Sequence, residues 1–195
     1  MKVELIDITK NADDLIIKCA RVCYRSDSNP ESDKKLLKAL FTSKHLSVFE
    51  HAKATFMISG ISRTCSHQLV RHRMASYSQE SQRYVSQENF DYILPESLQG
   101  ENNKFRSVEF MDEIKSIYLR MIKDGIPKED ARAILPGGTA TKIAVTMNFR
   151  SIMNFLDLRL PKNAQSEIRE IAIRMLLQLK KESEVFRIYD KNRQK

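Results

Sequence analysis

The order of the predicted helices and strands limits the fold more than any other feature of this sequence. Apolar residues recur at helical spacing in four segments, residues 11–23, 32–44, 103–123 and 163–189. Short apolar strands are predicted at residues 3–8, 49–59 and 143–150. Strands and helices do not alternate regularly, and no glycine-rich phosphate loop is present, as a Rossmann-type fold would require. We therefore predict an α+β fold.

Local signals place the remaining segments. Gly60 is expected to end the second strand, and Ser62 to cap a helix that runs to about residue 72. Residues 84–94 are interpreted as a strand or an extended loop. Pro127 is expected to open a helix that stops at residues 136–138, and a short helix is predicted over residues 151–158.

The length and composition favour one soluble domain over residues 1–195. No apolar run approaches the ~20 residues of a membrane span. The N-terminus carries Glu4 where a signal peptide would be apolar, so we expect a cytoplasmic protein. Three cysteines, Cys19, Cys23 and Cys65, cannot all pair within one chain, and their spacing fits no zinc site. Reduced thiols and no bound metal are the expectation.

The net charge of +8, with a pI near 9.4, indicates a polyanionic partner. Nucleic acid, a nucleotide, a phosphorylated cofactor and polyglutamylated folate all fit this charge. A small basic protein without any such partner fits it equally well.

Residues 71–84, RHRMASYSQESQRY, form the more unusual of two polar clusters. Arg71 and Arg73 would lie ~200° apart on a helix, so both reach one site only if the helix has ended. Arginine forks with Ser and Gln side chains suit phosphate and ribose hydroxyls. The alternative is a solvated helix end followed by a polar loop.

The second cluster comprises Asn148, Arg150, Asn154 and Arg159. Arg150 and Asn154 share a helix face if the helix begins by residue 150. The amide of Asn154 can both donate and accept, as an imide edge requires. Arg159 would alternatively be a favourable cation at a helix C-terminus.

Other reactive side chains give no familiar catalytic pattern. The four histidines fit neither a hydrolytic triad nor H-E-x-x-H spacing. Cys65 is interpreted as a packed thiol. Glu167 and Glu170, on the last predicted helix, are expected to be solvated.

Four motifs together resemble the flavin-dependent thymidylate synthases. The family signature R-H-R-x-x-S-x-N-x-x-S-x-R is met by Arg71, His72, Arg73, Ser76, Ser81 and Arg83. The block N-x-R-S-x-x-N-F-L-x-L-R-x-x-x-x-A-Q-x-E-I is met from Asn148 to Ile168. Residues 131–136, ARAILP, resemble A-R-x-x-L-P, and residues 45–51, HLSVFEH, resemble H-x-(T/S)-x-F-E-H.

The resemblance implies an antiparallel sheet flanked by helices, in a homotetramer whose active sites lie between subunits. Such enzymes reduce FAD with NADPH and take a methylene group from methylenetetrahydrofolate. They pass it to carbon 5 of dUMP and complete the methyl group with a flavin-derived hydride, giving dTMP and tetrahydrofolate. No enzymic cysteine nucleophile is used.

The resemblance also assigns residues. Those implied for FAD are His45, Ser47, Arg71, His72, Arg73, Ser78, Gln79, Asn148, Arg150, Asn154 and Asn163. Those implied for dUMP are Gln68, Gln79, Ser81, Gln82, Arg83, Arg132 and Arg159. Ser78 stands where the family usually has Asn, Gln79 where a Glu is common, and Asn163 where a His occurs. Residues 137–138, Gly-Gly, begin a segment that is often bulkier.

The chemistry of the residues agrees with this resemblance. A site for a flavin pyrophosphate and a nucleotide dianion needs several arginines and few acids. Arg159 is the expected catalytic residue, stabilising negative charge that develops on the uracil ring. Two other functions remain open: a small nucleic-acid-binding module, which would show interleaved basic and aromatic residues, and a flavoprotein without catalysis. We expect neither a nucleic-acid nor a membrane partner.

Overall fold

The computed structural model describes residues 1–23, 25 and 29–193, without the side chains of residues 102, 103 and 105. The side chain of Phe105, one of the apolar residues of the helix predicted over residues 103–123, therefore lies outside the described residues. The described residues contain four strands: β1 Lys2–Ile8, β2 Lys53–Ser62, β3 Ala75–Gln79 and β4 Ala140–Asn148. They form an antiparallel sheet in the order β1-β2-β4-β3, which confirms the α+β prediction.

Helices make up most of the remaining chain. The α-helices of the described residues are α1 Ala12–Val22, α2 Pro30–Thr42, α3 Arg63–Leu69, α4 Glu101–Lys123, α5 Lys128–Ala131, α6 Phe149–Arg159, α7 Ser166–Glu182 and α8 Glu184–Arg193. Short 3₁₀ helices cover Leu46–His51, Glu96–Leu98 and Arg132–Ile134. Within the described residues, no helix is both long enough and apolar enough to span a membrane.

The core lies on one face of the sheet. Alternate residues of the central strands, such as Phe56 and Ile58 on β2 and Val145 on β4, are buried there. Helix α7 packs on β1 and β2, and α6 packs on α7. Burial of each large apolar side chain contributes about 1.5–3 kcal/mol, so this layer fixes the sheet against α6 and α7.

The second strand was predicted four residues too early, and Gly60 does not end it. Residues 46–51 form a 3₁₀ helix, and β2 continues to Ser62. Gly60 lies at a bulge in the pairing with β4, between Ser59 and Ile61, with φ at +65°. Because glycine adopts this conformation without strain, the strand bends and continues.

Strand β3 was not predicted, since residues 71–84 suggested a polar loop. In the described part of the chain it is an edge strand, paired with β4. Tyr77 and Gln79 are half-buried, whereas Ser76 and Ser78 are exposed. An edge strand with one solvated face tolerates this polar composition.

The single final helix predicted over residues 163–189 is two helices. Ser183 is extended between α7 and α8, with φ at −147°. Asp13 accepts hydrogen bonds from Ser183 Oγ at 2.5 Å and from Glu184 N at 2.7 Å. A carboxylate from α1 thus supplies the cap that begins α8.

The prediction that Glu167 is solvated was wrong. Its carboxylate accepts hydrogen bonds from Ser62 N at 2.6 Å and from Ser62 Oγ at 2.7 Å. Ser62 Oγ in turn accepts from Cys65 N at 2.9 Å, which confirms Ser62 as the cap of α3. The predicted helix ends earlier than expected, at Leu69. Glu170 pairs with Arg174 on the solvated side of α7.

Glu167→Ala should therefore destabilise the protein more than Glu170→Ala. The first change leaves the buried Ser62 N–H without its partner, at a cost of about 2 kcal/mol in the free energy of unfolding. The second removes an exposed ion pair worth at most about 0.5 kcal/mol. Urea unfolding of both variants at one protein concentration measures the difference. Equal losses would contradict the capping role of Glu167.

Candidate active site

The junction between β4 and α6 forms one side of the candidate site. The strand passes into the helix without a loop, and Asn148 Oδ1 accepts a hydrogen bond from Ser151 N at 2.8 Å. This cap orients the first turn of α6, from which Arg150 and Asn154 extend. Arg159 lies at the end of the same helix.

The chain between α3 and β3 forms the other side. Helix α3 ends at Leu69, so Arg71 and Arg73 stand on an irregular segment and reach the same place. Between the two sides is a cavity of about 610 Å³, which we call the β4–α6 cavity. Its lining consists of Glu50, Arg71, His72, Arg73, Met74, Asn148, Arg150, Ser151, Asn154, Leu158 and Arg159.

Arginine dominates the charge of this cavity. Glu50 is the acid among the lining residues, and it pairs with Arg150 at 2.5 Å. Both side chains are about half exposed, so the pair contributes little stability and can exchange for another anion. The cavity also has an apolar rim, since the side chains of Met74 and Leu158 are 76% and 57% exposed. This combination suits a ligand with phosphates and a planar ring.

His72 and Arg159 are in direct contact inside the cavity. Arg159 Nε donates to His72 Nε2 at 3.1 Å, and Arg159 Nη2 lies 3.5 Å from the carbonyl oxygen of Gln68. Burial, and secondly the charge of Arg159, lower the pKa of His72 from 6.5 to about 4. The imidazole is therefore neutral at physiological pH.

The stability of the ligand-free protein should fall as the pH drops from 7 to 5. The unfolded chain takes up a proton at His72 below pH 6.5, whereas the folded protein resists protonation until about pH 4. This difference in protonation should lower the free energy of unfolding by about 1–2 kcal/mol at pH 5, allowing for the partial exposure of His72. Unfolding of wild type and His72→Gln at both pH values isolates the effect. An equal loss in the two proteins would contradict it.

A second group of arginines, which we call the Arg83–Arg132 cluster, lies beyond the other end of β3. Arg83 pairs with Glu129 at 2.6 Å, and Arg132 Nε donates to the Glu129 carbonyl oxygen at 3.0 Å. Arg63 is close enough that burial, and secondly Arg132, lower its guanidinium pKa. Three arginines thus lie close together here, and Arg83 is the one paired with the Glu129 carboxylate.

Strand β3 separates the two sites. Its first residue, Ala75, pairs with Met147 beside the β4–α6 cavity, and its last, Gln79, pairs with Ile143. Four strand steps put these ends about 13 Å apart. Arg159 and Arg83 of one chain therefore belong to separate basic surfaces.

The sequence matches a known family along most of its length. Residues 4–183 match the family described as thymidylate synthase complementing protein. A flavin-dependent thymidylate synthase of Geobacter sulfurreducens is 42% identical over 187 residues, covering 90% of this chain and 81% of that protein. Those of Pyrococcus furiosus and Clostridium tetani are 39% and 38% identical, covering 95% and 93% of this chain and 81% and 83% of theirs.

The chain belongs to the flavin-dependent thymidylate synthase family. It is thus a member of an enzyme family. Of the residues implied for FAD, the β4–α6 cavity brings together Arg71, His72, Arg73, Asn148, Arg150 and Asn154, with Arg159 beside them.

Five other residues implied for FAD lie outside this lining, and Gln79 is one of them. Ser47 is exposed on the 3₁₀ helix that also carries Glu50, and His45 is half-buried just before it. Ser78 is exposed on β3, and Asn163 is exposed between α6 and α7.

The remaining residues implied for dUMP lie on or beyond the end of β3 and on α3. Ser81 Oγ accepts from Arg83 N at 3.2 Å, and Gln82 is buried. Gln68 reaches Arg159 through its carbonyl oxygen. Gln79, implied for both ligands, donates to Ser66 Oγ at 2.9 Å and to Thr141 Oγ1 at 3.1 Å. Its amide therefore has a structural use in this chain.

Sequence reasoning missed Glu50, Arg63, Met74 and Glu129 as members of these surfaces. Glu50 was within a quoted motif, where an acid facing a cluster of arginines could have been noticed. Glu129 pairs with Arg83 across 46 positions in sequence, and no local pattern indicates such a contact.

Proposed function

We propose that the protein is an FAD-dependent thymidylate synthase, with residues 1–195 forming one such domain. It would methylate carbon 5 of dUMP, with methylenetetrahydrofolate as the one-carbon donor and NADPH as the reductant. The observation that carries this proposal is the β4–α6 cavity, in which four arginines from two distant segments meet beside Asn154 and an apolar rim. Membership of the family supports the same reaction.

The residues of the cavity fit a flavin nucleotide. Arg71, Arg73 and Arg150 would hold the pyrophosphate through charge-assisted hydrogen bonds. Asn154 offers both a donor and an acceptor to the imide edge of the ring, and Leu158 offers an apolar surface. When bound, the flavin supplies the hydride chemistry that no side chain here could supply.

Arg159 is the proposed catalytic residue. Carbon 5 of uracil attacks the one-carbon unit only when the ring is electron-rich, and negative charge then builds on its carbonyl oxygens. A guanidinium held at this place stabilises that charge more than it stabilises resting dUMP. The Arg83–Arg132 cluster, with Ser81, would take the phosphate, displacing Glu129 from Arg83.

The separation of the two basic surfaces supports assembly from several copies. Because β3 lies between the two surfaces within one chain, the proposed dUMP site takes Arg159 from one chain and Arg83 from another. We infer a homotetramer with active sites between subunits. Its substrates are small metabolites, so we place it in the cytoplasm.

Binding to nucleic acid is the weaker alternative. Such a module would present basic and aromatic residues on one surface. In the β4–α6 cavity the arginines are interleaved with Asn, Ser and His side chains instead.

One assay tests the proposal and separates an enzyme from a flavoprotein without catalysis. We expect dTMP from dUMP, methylenetetrahydrofolate, FAD and NADPH, and no dTMP when any one of the four is omitted. Purified protein should absorb at flavin wavelengths. A yellow protein without turnover would leave only flavin binding, and a colourless protein that binds RNA would overturn the proposal.

Replacing Cys19, Cys23 and Cys65 together with Ser or Ala should leave substantial turnover. Cys65 is fully buried, and burial, and secondly Glu167, raise its pKa to about 12, so it is not a thiolate. Cys19 and Cys23 lie at the end of α1, away from the lining of the cavity. Turnover and flavin content of the triple variant are the measurements. Complete loss of activity in a folded, flavin-loaded variant would contradict the proposal and indicate that one of the cysteines acts as a nucleophile.

A further inference from the structure

The imidazole of His72 is held between two side chains of α6. Phe155 and Arg159 are four residues apart, so they project from one face of that helix. The His72 ring meets Phe155 edge to face, with 4.9 Å between ring centroids. Its Nε2 accepts the hydrogen bond from Arg159 Nε at 3.1 Å. Packing on Phe155 therefore orients the ring that contacts Arg159.

The backbone of His72 is also fixed. Its N–H donates to the Leu69 carbonyl oxygen at 3.1 Å, at the end of α3. The hydroxyl of Tyr77, on β3, lies 2.9 Å from the His72 carbonyl oxygen and 2.8 Å from that of Leu69. The end of α3 and strand β3 thus fix the backbone of His72, whose side chain contacts Arg159.

The hydrogen bond requires one particular form of the ring. An imidazole nitrogen accepts only when it carries no proton, so the hydrogen of neutral His72 must be on Nδ1. The other charged side chains lining the cavity are Arg71, Arg73, Arg150 and Glu50. Because three of these four are cations and Glu50 is paired with Arg150, the surroundings disfavour a cationic ring.

We propose that His72 is a positioning residue for Arg159. Its Nε2 lone pair occupies Arg159 Nε–H, and Nη2 lies 3.5 Å from the Gln68 carbonyl oxygen, so Nη1 and the second hydrogen of Nη2 are left for the substrate. This inference rests on the proposed function, since the substrate in question is the uracil of dUMP. Without the acceptor, the guanidinium would have to be ordered at the moment of binding.

Two amide substitutions test whether His72 acts through the acceptor that it offers to Arg159. The amide of Gln reaches about as far as Nε2, so His72→Gln can keep the acceptor for Arg159. The shorter His72→Asn places its amide near Nδ1 and loses that acceptor. We expect His72→Gln to bind dUMP within about threefold of wild type and His72→Asn to bind about tenfold or more weakly. Calorimetric titration of dUMP into the FAD-loaded protein gives both values, and flavin content and melting temperature serve as controls.

Two further results follow from the same contact. In the Arg159→Lys background, His72→Asn should add little, because the two residues act as one unit. In wild-type protein labelled with ¹⁵N-histidine, the ring of His72 should carry its hydrogen on Nδ1 from pH 5 to 8. This measurement is made on wild-type protein, and a His72 variant is needed only to assign the signal of the His72 ring.

The outcomes are distinct. Equal loss in both amide variants, the reverse order, or a hydrogen on Nε2 would overturn the positioning role. Wild-type protein that binds no dUMP would instead overturn the proposed function, while the labelled histidine would still report whether the contact to Arg159 exists.

Discussion

Arg159→Lys should bind flavin normally yet form dTMP about 10²–10³ times more slowly than wild type. The lysine keeps the positive charge but has a single ammonium in place of a planar fork. Arg159 uses Nε for His72 and one hydrogen of Nη2 for the Gln68 carbonyl oxygen, which leaves Nη1 and the other Nη2 hydrogen for the substrate. One ammonium cannot hold both positions. Flavin content followed by single-turnover formation of dTMP measures the two properties separately.

Arg73→Ala is the matched comparison in the same cavity. Arg73 lines the β4–α6 cavity but makes no hydrogen bond with His72 or Arg159 among the contacts of the described residues. Its loss should lower flavin occupancy, and added FAD should restore part of the turnover. If Arg159→Lys turned over like wild type, or lost its flavin as Arg73→Ala does, this division between the two arginines would be wrong.

The parts of the fold that the sequence predicted are those governed by local patterns. Helical spacing located most helices within a few residues, and the hydroxyl of Ser62 identified the start of α3. The errors lie where contacts between residues distant in sequence determine where a strand or helix ends. Gly60 looked like a strand terminator because its bulge depends on pairing with β4, and Ser183 interrupts the last helix because Asp13 caps α8 from α1.

The same distinction applies to the site. Family motifs singled out the arginines that line the β4–α6 cavity, since each motif is local. No motif could indicate that Arg159 contacts His72 across 87 positions, or that Glu167 binds Ser62 across 105. Both contacts depend on how α6 and α7 pack against α3. Composition suggested a polar loop at residues 75–79, although strand β3 is what separates the two arginine surfaces.

That separation leads to the last prediction, which is complementation between two impaired variants. Arg159→Lys changes the β4–α6 cavity, and Arg83→Ala changes the Arg83–Arg132 cluster. If each dUMP site takes one surface from each of two chains, mixed assemblies contain sites in which both surfaces are intact. Random mixing of equal amounts should restore about a quarter of wild-type turnover. Each variant alone should remain far below this level.

The mixture is made by co-expressing the two variants with different purification tags and isolating assemblies that carry both. Arg159→Lys combined with Arg71→Ala provides the control, because both residues line one cavity of one chain. No mixed assembly can then contain an intact β4–α6 cavity, so turnover should not recover. Recovery in the control, or none with Arg83→Ala despite isolated mixed assemblies, would show that the two arginine surfaces of different chains do not build one site.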